Sequence, residues 1–382
     1  MMNETYLNES YLSSNVTFGP SCHYLMVDEI QPPDITVPLY GYALPILLVV
    51  TTTANTFVVA VLWQRHMRTP SNTILLAISL SDLFTLVVPA PMFFYLYTLG
   101  NHVFPIYPPI ACYTYHFLCD VIPTLFHTAS IWLTLALAAQ RYIYVCHSPV
   151  ARIFCAQPTV VKIVMLIFFA ATLHQLPRFF EFVYEPGEIM YNGEVITVCI
   201  FCNSEWLQKI GRIYYPCYFW MRVVLVHLLP CALLVLINVL LYITLRDAQQ
   251  TRRRLLQENR RCEYKKIREK NCTTMMLIVI VSVFLVTEIP LAIITFLHIV
   301  TNSGIMEVFT TEDYPKVHKF VTFSNFFMIL FYPLNFAIYC GMSRQFRDTF
   351  KALFIIFTFF LYYFYFLLFE YKINLHLLNF AM

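Results

Sequence analysis

Charge is scarce in this chain. Only 12% of its 382 residues are Asp, Glu, Lys or Arg, about half the roughly 25% usual in a soluble domain. A water-soluble globule is therefore a poor fit, and a membrane protein a good one. The eight glycines form no phosphate-cradling loop, and no Ser–His–Asp arrangement or His-rich metal spacing appears; an enzyme is not expected. The twelve cysteines lack the paired spacing of a zinc site. Neither an internal repeat nor a matched pair of broken apolar segments is present, which counts against a transporter. A net charge of only +3 singles out no nucleic-acid partner. No cleavable signal sequence is visible in the polar first 38 residues, so the first span is expected to serve as its own insertion signal.

Apolar residues fill the gap: 59% of the chain is hydrophobic and the mean hydropathy is +0.64. Long apolar stretches run over 39–64, 72–99, 111–146, 158–180, 220–245, 272–300 and 316–340, each long enough to cross a bilayer. The expected fold is an all-α membrane protein, a seven-transmembrane-helix bundle. Orientation follows from Lys and Arg: residues 246–270 hold ten of them against four acids. Arg65 and Arg68, and Arg344, Arg347 and Lys351, lie on the same side. The positive-inside rule puts that side in the cytoplasm and the N-terminus outside, with sequons at Asn3, Asn8 and Asn15 as glycosylation candidates. Three segments follow: an extracellular tail 1–38, a bundle 39–350 ending in a short amphipathic helix on the inner face, and an apolar tail 351–382. Within that tail the run Ala352–Phe369 reads as an eighth span, a membrane-surface helix or a non-native terminus.

Polar residues recur inside these oily helices. Asn55, Asp82, Ser130 and Asn335 each count about nine to eleven residues from the cytoplasmic end of a different span, which puts them in one layer roughly 13–16 Å above the inner face. Polar groups at that depth face the bundle interior and mark function. Toward the outside, Asp120, His127, His174, Arg178, Arg222, Glu288, His298 and Asn325 are candidate ligand contacts, although any one alone reads first as a solvated helix end or a satisfied core group. Loop acids, including Glu181, Glu185, Glu188 and Glu194, are expected to rim the mouth and concentrate a basic peptide. An oxidising exterior invites a bridge from Cys112 to the long loop 181–214, with Cys199 as first choice and Cys202 as the alternative. Such a bridge would hold the loop as a lid.

At the inner face the third span ends Gln140-Arg141-Tyr142, and the seventh carries Pro333-Leu334-Asn335-Phe336-Ala337-Ile338-Tyr339. With Asp82 in the second span and Pro290 in the sixth, these residues resemble the rhodopsin-like G-protein-coupled receptors over 39–350. His127-Thr128-Ala129-Ser130, Gln140 to Pro149 and Thr287-Glu288-Ile289-Pro290 look like the invertebrate sex-peptide (myoinhibitory-peptide) receptors, with FMRFamide and myosuppressin receptors as the near alternative. The resemblance implies a plasma-membrane receptor for an amidated neuropeptide, acting through an inhibitory-type heterotrimeric G protein, with arrestin as a further partner. It implies an activation relay of Asp82, Arg141, Asn335 and Tyr339, and a sodium ion held by Asp82 and Ser130; Asn55 and Ser130 of the polar layer, with Tyr142, Glu288 and Pro290, are read as further members of that relay.

Three departures from that pattern stand out. Gln140 replaces the acid that would hold Arg141 by an ion pair, and Glu269 is the nearest acid to the expected partner position on the sixth helix, where Lys270 sits; a weak lock and ligand-free activity are expected. Glu288 occupies the usual Trp position, as a neutral core acid or as a switch and pocket floor. Phe336 replaces the usual Pro, and Pro333 should shift the kink by about one turn.

Overall fold

The computed structural model describes residues 22–24, 27, 32–191, 193–257, 261–302, 306, 308–310 and 313–355. The sequons at Asn3, Asn8 and Asn15 and the tail beyond 355 lie outside these residues. Among these residues seven helices are long and apolar enough to span a bilayer: α1 Pro33–Leu62, α2 Pro70–Thr98, α3 Pro109–Cys146, α4 Gln157–Phe180, α5 Glu205–Ala248, α6 Thr274–Thr301 and α7 Tyr314–Met342. A further helix, α8 over 344–355, follows α7.

Local chemistry sets the helix ends. α2 starts with Pro70 at the position where its missing N–H is harmless, while the Thr69 hydroxyl accepts from the Asn72 backbone N–H at 3.3 Å. α7 breaks at Pro333: regular helix runs Tyr314–Phe331 and resumes as Leu334–Met342, which places the interruption where Pro333 predicts it. Asn335 lies in the inner piece, seven residues before Met342 at its end, fewer than the nine to eleven counted from the sequence.

Four π-helical segments interrupt the outer halves: Val37–Ala43, Phe94–Thr98, Phe117–Val121 and Val223–Leu228. Such insertions re-aim the residues beyond them and gather at functional sites. Two of them carry Asp120 and His227.

The stretch read as the loop 181–214 is ordered differently. It forms a hairpin, β2 Phe182–Tyr191 and β3 Glu194–Asn203, and α5 then begins at Glu205, well before the expected 220. Polar Glu205, Lys209 and Arg212 hid the start from a hydropathy reading; Pro216 lies inside this helix. Strand β1, Cys22–Tyr24, pairs antiparallel with β3, giving the order β1-β3-β2. Gly193 sits at φ 86° between the strands, a conformation that costs glycine little.

Two disulfides fix this sheet. Cys112–Cys199 ties β3 to α3, and Cys22–Cys202 ties β1 to β3. The backbone N–H of Cys199 also donates to the Ile106 carbonyl at 3.0 Å. The second bridge was missed in the sequence, where Cys202 stood only as a rival partner for Cys112. Four outer cysteines were signal enough for two bridges.

The two largest of the apolar clusters among the described residues seal the inner and outer halves of the bundle. The inner one joins Val58, Leu75, Leu133, Leu137 and Leu277 to Phe346 of α8; Phe346 is 1% exposed. Thus α8 is held by burial. The outer cluster packs Tyr40, Leu86, Leu96 and Tyr97 against the Cys112–Cys199 bridge.

Candidate functional site

Polar side chains stack through the bundle in four levels. The outermost is a charge cluster. The Arg178 guanidinium donates to Glu181 at 2.5 Å and also pairs with Asp120. Tyr214 of α5 donates its hydroxyl to Glu181 at 2.8 Å, and His116 lies 3.8 Å from Asp120. Glu181 is fully buried, so it is not part of the expected acidic rim. Burial pushes its carboxyl up from the usual range, against the opposing pull of Arg178 and Tyr214. The acids Glu185, Glu188 and Glu194 are exposed on the hairpin, as the rim reading expects.

One level down, three titratable side chains meet from three helices. Glu288 of α6 is buried to 0% exposure. Its two carboxylate oxygens face His127 Nε2 of α3 at 3.4 Å and His227 Nδ1 of α5 at 3.7 Å. Neither carboxylate oxygen has a hydrogen-bond partner, nor do those two ring nitrogens. His227 was absent from the sequence-derived candidates. The signal was available: it is a polar residue three positions before Pro230 in an apolar span. Arg222 on α5 is in electrostatic range of His127, His174 and His227. His174 sits between Trp132 and Tyr218, with ring centroids 6.4 and 5.2 Å away. His298 stands apart beside Tyr314 at 5.6 Å, and Asn325 is half-buried on α7.

The third level is the polar layer. The Ser130 hydroxyl donates to one oxygen of Asp82 at 2.7 Å and the Asn335 amide to the other at 3.4 Å. A cavity of about 40 Å³ opens beside them, lined by Asp82, His127, Ser130, Thr287, Tyr332 and Asn335 among others. That is room for one or two waters or a small ion. Asn55 is fully buried and neither end of its amide has a partner. Three helices therefore converge on one carboxylate, at a depth where an isolated charge costs about 2.5–3.5 kcal/mol on insertion scales.

At the inner face Gln140 is occupied elsewhere. Its side-chain oxygen accepts from Ser71 at 2.7 Å and its backbone carbonyl from Cys155 Sγ at 3.5 Å. Arg141 lies over the Tyr144 ring at 5.9 Å with its Nε buried and unpartnered. Among the described residues no acid pairs with Arg141; the side chains of 249–273, including Glu269 and Lys270, lie outside them. Tyr142 packs against Leu241 and Leu245. Tyr339 is 3% exposed and its ring lies 5.3 Å from Phe346.

The arrangement is a column of buried polar groups from the disulfide-pinned lid to an arginine at the cytoplasmic face. Its parts sit on different helices and are spaced by apolar packing, with no substrate-sized reactive centre among the described residues. Such a column suits transmission of a conformational change. The family model for the serpentine-type seven-transmembrane G-protein-coupled chemoreceptors Srw matches residues 42–357. The chain is 48% identical to the Sex peptide receptor of Drosophila melanogaster over 327 residues, covering 85% of this chain and 74% of that one. It is 35% identical to the Sex peptide receptor-related protein 2 of Caenorhabditis elegans over 334 residues, 85% of this chain and 73% of that one. The FMRFamide receptor of Drosophila melanogaster is 26% identical over 327 residues, 82% of this chain and 53% of that one. With these matches and seven spanning helices, the chain belongs to the serpentine G-protein-coupled receptors, multi-pass proteins of the plasma membrane and not enzymes.

Proposed function

We propose that this receptor answers an amidated neuropeptide of the myoinhibitory or sex-peptide type and signals through an inhibitory-class heterotrimeric G protein. The observation that carries the reading is the series of buried polar groups between the outer charge cluster and Arg141, in a chain 48% identical to a Sex peptide receptor. Exposed Glu185, Glu188 and Glu194 on the hairpin would draw in a basic peptide. His127, His174, Arg222, Glu288, His298 and Asn325 are the proposed contacts or floor of the cup. Asp120 and Arg178 meet it already paired to each other.

The relay assignment rests on the same column: Asn55, Asp82, Ser130 and Asn335 as its middle layer, Glu288 and Pro290 above, and Arg141, Tyr142 and Tyr339 below. Asp82, the Ser130 hydroxyl and the adjoining cavity offer a hard-oxygen donor set and enough space for a sodium ion. The Asn55 amide is buried and unpartnered, as a further donor to that layer would be. Bound there, the ion would neutralise the buried carboxylate. Arrestin and inner-leaflet lipid, drawn by the basic segment 246–270, are further proposed partners.

The test is peptide-dependent nucleotide exchange on an inhibitory-class G protein, with myoinhibitory and FMRFamide-like amidated peptides side by side. Exchange driven by the myoinhibitory peptides at the lowest concentration is the expected outcome. Preference for FMRFamide-like peptides would move the chain to the neighbouring receptor group, and ion-coupled uptake without exchange would defeat the receptor reading. Gln140→Asp supplies a second check. With Gln140 tied to Ser71 and no acid on Arg141 among the described residues, the wild type should show ligand-free exchange. The aspartate, at a position only 8% exposed, should lower it at least about twofold by pairing with the adjacent guanidinium. Unchanged basal exchange rejects the weak-lock account.

A further inference from the structure

A place at the floor of the cup does not by itself account for the geometry of Glu288, His127 and His227. Glu288 has no exposed surface. Yet both its oxygens and both facing ring nitrogens lack hydrogen-bond partners at separations of 3.4 and 3.7 Å. Buried polar groups left in this state are rare in native proteins, and here four of the atoms converge on one point from three helices.

Charge counting limits what fills the point. With no shared proton the group carries one buried negative charge. One proton makes it neutral, either on the carboxyl or as an imidazolium–carboxylate pair. Two protons leave it positive. The surroundings oppose both charged forms. Asp82 on α2 faces Glu288 electrostatically and repels a bare carboxylate; Arg222, one turn above His227 on α5, repels a second proton. The other titratable groups facing the cluster are His174 on α4, Cys231 on α5 and Tyr332 on α7. None of these supplies a balancing negative charge in the neutral-pH range. We propose that Glu288, His127 and His227 form a proton-binding site that holds one shared proton in this closed arrangement and couples its loss to opening of α6.

The coupling follows from placement. Pro290, two residues beyond Glu288, lies inside α6 and gives that helix a pivot. Any swing about it moves Glu288 relative to His127 on α3 and His227 on α5. While the proton is shared, the three helices are held together by a neutral buried cluster. When it leaves, an anion stays behind in an apolar wall and facing Asp82, which favours separation and hydration. His127 also lines the cavity that reaches Asp82 and Ser130, so water entering there has a route for the proton. Closed receptor should therefore dominate in acid, and the open fraction should rise with pH.

The experiment uses the full chain in lipid nanodiscs, without peptide or G protein, so a wrong agonist assignment does not affect it. Spin labels at the cytoplasmic ends of α3 and α6 report the open fraction across roughly pH 5 to 8, where imidazoles exchange protons. Infrared difference spectra report carboxyl protonation on the same samples. In the wild type the open fraction should climb, by no more than about tenfold per pH unit for one linked proton, as a carboxylate signal appears or an imidazolium signal fades. Glu288→Gln should fold, flatten the pH profile and remove the carboxylate component. His227→Asn, which keeps the acid, should shift the profile toward lower pH by weakening the hold on the proton. A wild-type profile without pH dependence, a slope of the opposite sign, or a Glu288→Gln profile superimposing on the wild type overturns the proposal.

Discussion

Arg178→Met is expected to remove most of the receptor from the cell surface. Arg178 bridges Asp120 of α3 and Glu181 at the root of the hairpin, and its side chain is only 15% exposed. The two acids would not suffer equally. Asp120 is 41% exposed and can rehydrate, whereas the Glu181 side chain is 0% exposed. Glu181 would keep only the Tyr214 hydroxyl. Removing one partner of a buried ion pair costs about 3–5 kcal/mol, a large share of the roughly 5–15 kcal/mol that holds a folded protein together. Surface labelling of intact cells and thermal unfolding of the purified protein would both register the loss. The double variant Arg178→Met, Glu181→Gln should recover much of it, because the orphaned charge is gone. Wild-type surface levels for the single variant would show that the cluster does not clamp the lid to the bundle.

How far the sequence foretold this molecule depends on whether the determining interaction is local. Span number was legible because hydrophobic run length is a property of single segments. So was the α7 break, since proline removes a backbone donor wherever it stands. The middle layer was partly legible. Depth counting brought Asp82 and Ser130 together, and a 2.7 Å hydrogen bond joins them; the Asn335 amide reaches the same carboxylate at 3.4 Å. Glu181 was misread because nothing near it in sequence reveals that Tyr214, far along the chain, closes over it. His227 escaped because its importance comes from Glu288 on another helix, and a π segment sets its direction. Such pairings are written in tertiary packing.

Arg141→Ala should abolish most nucleotide exchange while leaving peptide binding at the outer face close to wild type. The side chain is held under a ring, 5.9 Å from Tyr144, with a buried unpartnered Nε. A buried donor without a partner is costly, so Arg141 gains by turning to any acceptor that appears when α6 moves away. A G protein inserted at that face supplies carbonyls and carboxylates. One hydrogen bond to a charged group is worth about 1.5–3 kcal/mol, and its loss corresponds to a roughly 10- to 150-fold fall in exchange. Lysine keeps the charge but lacks the planar fork, so Arg141→Lys should recover only part of the rate. The contrast with Gln140→Asp is diagnostic: both variants lower basal exchange, but the aspartate restrains a competent arginine that agonist can release, whereas alanine leaves nothing to release. A maximal peptide response that survives Arg141→Ala would mean that the polar column ends above the cytoplasmic face and that the G protein reads another part of the inner surface.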